Sequence, residues 1–399
     1  MVFFIHAGLF ATISNKDYAK RGFSLFDWPI KNYLPISMFF GKSSFMSSRF
    51  VFPFITLAVL ISLCGQAQAQ TSITSVNIID LMVTDPLLRN GVSGTGGPFT
   101  VTYNGIERRI DSFIAAGDIY APTVVGQAVA RRNNAASTFP QTNPSQTAAW
   151  NAAISVSGTT HTVSGRYLNT MDALFTSRNI LSGTENLFVN QSANVGDVVN
   201  NVERMDFLFS LGFQASSTTG FAVFERGRGP GSPTSGANGG FKIAAVTGID
   251  SNGVPTAFSD AILVGEDSYN NGGVGTGLAS QRYDVFRYST ATGPELDTMN
   301  NSNIGPQGVA GVFVKTTDLV SAGTTIFGYA VLGEDGPTNG GQIVNWLDTT
   351  NWLTNSGFSN DVDMVATGAV VYTLVPEPTA VSLGMLGSLL LFGKRRRKA

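Results

Sequence analysis

The sequence predicts an all-β body, a β-sandwich that can take the jelly-roll form. Three observations carry that class. Between residues 70 and 373, short apolar runs alternate with stretches of Gly, Ser, Thr and Asn. No run there keeps the apolar spacing of a strong amphipathic helix. Glycine is abundant, at 45 of 399 residues, and supplies the positive-φ turns that many short strands require.

The elements follow in order along the chain. Ser72 to Val83 is rich in β-branched residues and reads as a strand. Thr100 to Tyr103, then Asn104-Gly105, then Ile106 onward reads as a hairpin with a type I′ turn. Ile154 to Ser157 and His161 to Val163 flank Gly158 as a second hairpin. Met205 to Phe213 and Gly220 to Phe224 are aromatic-rich core strands. Phe241 to Val246, the turn Asp250-Ser251-Asn252-Gly253, and Ala257 to Val264 make a third hairpin. Val309 to Val314, Thr324 to Leu332 and Met364 to Thr373 complete the set. Residues 131–145 and 227–240 are polar loops that divide no domains. There is no internal repeat, which excludes a propeller or a solenoid.

Charge narrows the function. Charged residues are only 13% of the chain, and the net charge is −2. Residues 70–375 alone hold 14 basic against 24 acidic groups, a charge of −10. Nucleic-acid binding needs clustered positive charge to neutralise phosphates, so that class is set aside. The single cysteine, Cys64, lies before this body, which therefore has no disulfide, no thiolate nucleophile and no Cys-based metal site.

Both ends are membrane-directed. Residues 46–69 combine Arg49, an apolar run from Phe50 to Leu63, and the small-x-small sequence Ala67-Gln68-Ala69. These are the three parts of a cleavable secretory signal helix. Residues 1–45 precede it, which places the expected start of translation at Met46 or Met38 and makes the upstream part an extension. Leu63 is too large for the position before a lipid-modified cysteine, so Cys64 is not expected to be lipidated.

The chain closes with Pro376-Glu377-Pro378, about 15 mostly apolar residues from Thr379 to Gly393, and the basic run Lys394-Arg395-Arg396-Arg397-Lys398. Proline keeps the first segment extended. Basic residues stay on the cytoplasmic side of a membrane, so the transmembrane helix would start outside. Its length is short for a bilayer, which suits a transient stop. The whole of residues 374–399 resembles the PEP-CTERM sorting signal of Gram-negative bacteria. The resemblance implies recognition of Pro376, Glu377 and Pro378 by a membrane-embedded exosortase, with transient anchoring in the inner membrane. It further implies delivery to the cell surface or the extracellular, polysaccharide-rich matrix of biofilms.

The search for chemistry in the body returns little. The segments Asn201 to Phe207 and Phe221 to Gly227 resemble β-rich modules of bacterial surface and adhesin proteins, which bring no catalytic residues. His161 is the body's only histidine and reads as a solvated strand residue without a nucleophile-elbow motif. Paired carboxylates could hydrolyse glycosides, and the candidates are Glu203 with Asp206, Glu225, Glu266 with Asp267, and Glu334 with Asp335. No cofactor is expected. A structural calcium ion is the one ion the acidic loops admit, at Asp250 to Gly253 or at Asp361 and Asp363, although the first lacks the later ligands of an EF-hand. Trp346 and Trp352 flank Asp348 to Asn351 and are the weak candidates for stacking on a sugar. The expectation is thus a non-enzymatic adhesive or structural surface protein. A secreted carbohydrate-active enzyme with paired carboxylates is the alternative.

Overall fold

The computed structural model describes residues 70–83, 88–93, 97–132, 147–168, 170–185, 187–188, 202–227, 240–265, 268, 276–289, 295–334, 338–339, 342–343, 347 and 362–376. The first strands are β1 (Gln70–Met82), β2 (Leu88–Ser93), β3 (Gly97–Tyr103), β4 (Ile106–Ala115), β5 (Asp118–Val125), β6 (Gln127–Arg131), β7 (Thr147–Ser157), β8 (Thr160–Val163) and β9 (Ser182–Thr184). Then come β10 (Arg204–Gln214), β11 (Thr219–Arg226), β12 (Phe241–Ile249), β13 (Pro255–Phe258), β14 (Ile262–Val264), β15 (Gln281–Ser289) and β16 (Glu295–Gln307). The last are β17 (Val309–Lys315), β18 (Thr325–Gly333), β19 (Thr338–Asn339), β20 (Gln342–Ile343) and β21 (Val370–Leu374). Two short helices interrupt them, α1 (Met171–Ser177) and α2 (Thr316–Leu319). The protein is mostly β, as predicted.

Three sheets carry the structure. Strands β1, β17, β11, β21, β5 and β4 close into a barrel. A second sheet runs β13-β12-β18-β10-β6, with β14 added on β12. A third runs β15-β16-β2-β3-β8-β7-β9, and β7 pairs back onto β15. Strands β19 and β20 form a separate pair.

The packing explains the apolar runs. Strands β11 and β17 are buried on both faces. Ala222, Phe224, Val309 and Phe313 point into the barrel with Phe113, Tyr120 and Tyr372. Phe221, Val223, Ala310, Val312 and Val314 point the other way, against Phe207, Ile243 and Tyr329 of the second sheet. The rings of Phe221 and Tyr329 stack at 4.2 Å between centroids. A strand buried on both sides has no polar face, so it reads as a continuous apolar run. Each such buried aromatic side chain contributes roughly 1.5–3 kcal/mol. The second sheet in turn buries Ala244, Val246, Ala330 and Leu332 on its far side.

A closed barrel stands where a simple two-layer sandwich was expected. The closing strand is β1. Its first residues, Gln70 to Ser72, pair with β17, and the rest pairs with β4. Register shifts between Ile73 and Ser75 and between Asn77 and Ile78 bend it across the seam. Face-to-face sheet packing survives between the second sheet and the β11–β17 wall.

One expected hairpin is replaced. Strands β3 and β4, on either side of Asn104-Gly105, enter different sheets. Gly105 has φ 69°, but Asn104 keeps a negative φ, so a type I′ turn does not form. Asn104 Oδ1 instead accepts from the amides of Ile106 (3.0 Å) and Gly165 (3.0 Å). The positive-φ pair of a type I′ turn occurs at Ala116-Gly117, φ 53° and 89°, between β4 and β5. The β7–β8 hairpin at Gly158 and the β12–β13 hairpin at Gly253 form as expected.

Both ends of the barrel's chain leave from one rim. Gln70 opposes Val314, Val314 opposes Phe221, and the neighbouring Gly220 opposes Tyr372, two residues before β21 ends. The pairing of Met82 with Ile106 marks the opposite rim. The signal at 46–69, the apolar segment 379–393 and the basic run 394–398 lie outside the described residues. Among the described residues no helix is long and apolar enough to cross a membrane.

Candidate functional site

Of the residues singled out in the sequence, Pro376 is exposed just beyond β21. Glu377, Pro378, Ala67, Ala69, Trp346, Trp352, Glu266, Asp267, Asp335, Asp361 and Lys394 to Lys398 lie outside the described residues. Asp250 is occupied by its own turn: Oδ1 accepts from the amides of Asn252 and Val254, both at 2.8 Å. Among the described residues no group of three His, Cys, Asp or Glu side chains is placed to hold a metal ion.

His161 is not solvated. It is buried in the third sheet, and its Nδ1 lies 2.9 Å from Oδ2 of the fully buried Asp284. The sequence could not show this, because Asp284 comes from β15, far along the chain. The pair forms a buried His–Asp contact inside the sheet.

Of the predicted carboxylate candidates, Glu334 is half-buried and three others are buried and engaged. Glu203, Asp206 and Glu225 are each at most 2% exposed. Asp206 accepts from Arg204 Nε at 2.7 Å and Nη2 at 2.9 Å, and from Arg131 Nε at 2.7 Å. The Arg204 guanidinium also covers the Phe258 ring at 4.9 Å.

The structure instead assembles two clusters that spacing did not reveal. In the first, the guanidinium of Arg226, on β11, is sealed from solvent. Its Nη2 donates to Asp363 Oδ2 at 2.6 Å and to Glu185 Oε2. Its Nε and Nη1 are buried without a hydrogen bond, and the guanidinium carbon lies over the rings of Trp150 at 5.1 Å and Tyr283 at 5.3 Å. Trp150 is held by its own bond from Nε1 to the Thr184 carbonyl at 2.9 Å. Burial, then the neighbouring Asp363, push the Glu185 carboxyl up to about 7 against the pull of Arg226. A carboxyl titrating near neutrality is what general-acid catalysis uses. Yet the arginine fills the gap between the two acids where a glycosidic bond would have to lie. The backbone adds to this clasp, since the Arg226 amide donates to the Asp363 carbonyl at 3.0 Å. It ties β11 to the segment after β9 and to the one before β21.

The second cluster inverts the charges. Glu107, on β4, is fully buried. Its Oε2 accepts from Arg109 Nη2 at 3.0 Å, and Arg166 Nε lies 2.8 Å from its Oε1. Arg178, at the left-handed C-cap of α1, joins them electrostatically: burial and then Arg109 lower its pKa, while Tyr372 and then Glu107 raise it. Asn179 stitches the three segments together. Its Oδ1 accepts from the Arg108 amide at 3.1 Å and the Leu181 amide at 3.2 Å, and its Nδ2 sits against Gly165. Only the adjacent Glu107-Arg108-Arg109 triplet was visible in the sequence as a hint of this cluster.

A groove of about 610 Å³ lies elsewhere, on the second sheet, lined among others by Val129, Arg131, Leu208 and Phe327.

No family model matches the chain, and no curated protein matches it. Two solved structures show a faint likeness: T=1 particles derived from infectious bursal virus, at 11% identity and TM-score 0.08, and a mutant VP2 protein of infectious bursal disease virus, at 12% identity and TM-score 0.09. Each alignment covers 82% of this chain and 85% of the viral one, and at such TM-scores the likeness is not one of fold.

Proposed function

We propose that this chain is an exported cell-surface or extracellular-matrix protein, sorted by an exosortase through Pro376, Glu377 and Pro378. Its body serves as a non-enzymatic adhesive or structural module in biofilm or exopolysaccharide. The observation that carries the reading is that residues 46–69 hold the three parts of a signal peptide in order and residues 374–399 a three-part tail. The fold is compatible with both segments meeting one bilayer, because Gln70 and Leu374 leave the barrel from the same rim. The non-enzymatic part is supported by the state of the acids. Asp206, Glu107, Glu185 and Asp363 each hold an arginine inside the protein. A substrate would have to displace that partner.

The test is intact-mass measurement of the protein recovered from surface, matrix and membrane fractions of the native host. A mass running from about Gln70 to about Pro376 supports the sorting reading. Membrane-bound protein that retains residues 394–399 makes the tail an ordinary anchor and overturns it.

A further inference from the structure

We infer that Arg109, Arg166 and Arg178 form a binding site for an oxyanion, a carboxylate or sulfate group of an acidic polysaccharide. Arg109 and Arg166 contact one buried carboxylate, and Arg178 adjoins Asn179, which binds the Arg108 amide, so among the described residues the arginines here outnumber the acid they hold, inside a body of net charge −10. Glu107 cannot satisfy the donors either. The Nε–H groups of Arg109, Arg166 and Arg178 are all buried, and none makes a hydrogen bond. Arg166 Nε reaches Glu107 Oε1 in distance but not in angle. Buried donors left open are costly, and charged ones more so. An oxyanion accepts several such donors at once and neutralises the surplus charge.

Access and strain point the same way. The Arg166 side chain is 40% exposed and that of Arg109 22%, so an ion can meet these side chains from solvent although their Nε atoms are covered. Arg178 holds the left-handed conformation, φ 62°, which glycine adopts without strain and other residues do not. A C-cap chosen for stability alone would be glycine. An arginine there suits a role for its side chain that offsets the backbone cost. The cluster also sits beside the pairing of Leu81 with Glu107, near the rim opposite the one from which Gln70 and Leu374 leave. A rim held away from the membrane is the one that meets extracellular polymer.

The oxyanion site does not rest on the export reading; only its assignment to a polysaccharide does. The two fail separately, because the intact-mass experiment involves no anion. The test is calorimetric titration of the full-length protein with polygalacturonate, galacturonic acid, sodium sulfate and neutral dextran. The expected result is that polygalacturonate binds, dextran does not, and added salt weakens the binding. Arg166→Gln and Arg178→Gly should each weaken it about tenfold or more. Arg178→Gly should leave the Tm unchanged or raise it, since the glycine relieves the backbone. Sulfate binding as strong as that of the polymer would uphold the site and make a free inorganic anion its ligand. The proposal falls if no anion binds the wild type, or if Arg178→Gly keeps full affinity. It also falls if Arg178→Gly lowers the Tm, as loss of a packing residue would.

Discussion

The Arg226 and Glu107 clusters are built from the same two side-chain types in opposite proportion. One places a single cation between two acids; the other places a single acid among three cations. In the first, the central charge is sealed beside Trp150 and Tyr283, although its Nε and Nη1 also make no hydrogen bond. In the second, the outer charges reach solvent and their Nε donors stay open. Burying a charge costs several kcal/mol, and partners inside the protein must offset that. Where the cation is shut off from solvent, the cluster fastens the fold. Where the cations reach solvent, it is left open to an ion from outside.

The largest break in that comparison is at Arg226. Arg226→Met keeps the bulk and removes the cation that Glu185 and Asp363 share. Truncating one side of a buried pair costs about 3–5 kcal/mol. Urea unfolding at neutral pH should show that loss, and a smaller loss at pH 5, where Glu185 takes up a proton. An unchanged midpoint would mean that the apolar packing around Trp150 alone holds these segments.

Glu107→Gln sharpens the other side. It leaves three arginines, all partly exposed, without the acid that Arg109 and Arg166 contact, so the expected cost is lower, about 2 kcal/mol. Added sulfate should raise the Tm of this variant more than that of the wild type, because the ion then meets a larger surplus charge. Equal responses would detach the arginines from anion binding.

A third measurement concerns Glu185 alone. Its carboxyl is raised from about 4.5 to about 7 by burial and Asp363. A group raised on folding contributes stability that is complete below its unfolded value and lost as pH rises through its folded one. The difference in stability between wild type and Glu185→Gln should therefore change across pH 4.5 to 7, with the wild type losing on the order of 2–3 kcal/mol relative to the variant. Asp363→Asn should shrink that change, since it removes the second cause of the shift. A flat difference would place the Glu185 carboxylate in a wetter site.

What was legible in the sequence follows from range. Strands β10, β11, β12, β17 and β18 were visible because each is an apolar run that buries its own residues. The turn at Asn252-Gly253 was visible because Asp250 closes it within four residues. Barrel closure was not, since the alternation along β1 is the same whether its far edge meets β17 or solvent. Neither charge cluster was, because Glu185, Arg226 and Asp363 meet only through tertiary packing. His161 was misread for the same reason, its partner Asp284 being 123 residues away.

The smallest effect tests the strain argument by itself. Among the described residues two that are not glycine hold positive φ, Ala116 at 53° and Arg178 at 62°. Ala116 occupies the first turn position between β4 and β5, a place where Asn, Asp or Gly is usual. It serves only the turn, whereas Arg178 also brings a guanidinium to the cluster. Replacing each by glycine removes a left-handed cost of about 1–2 kcal/mol, less the extra chain entropy that glycine adds to the unfolded state. Ala116→Gly should thus raise stability by up to about 1 kcal/mol and leave anion affinity untouched. If Ala116→Gly gains nothing, the backbone cost at Arg178 is also small. The case for a ligand there would then stand on the open Nε donors and the surplus charge alone.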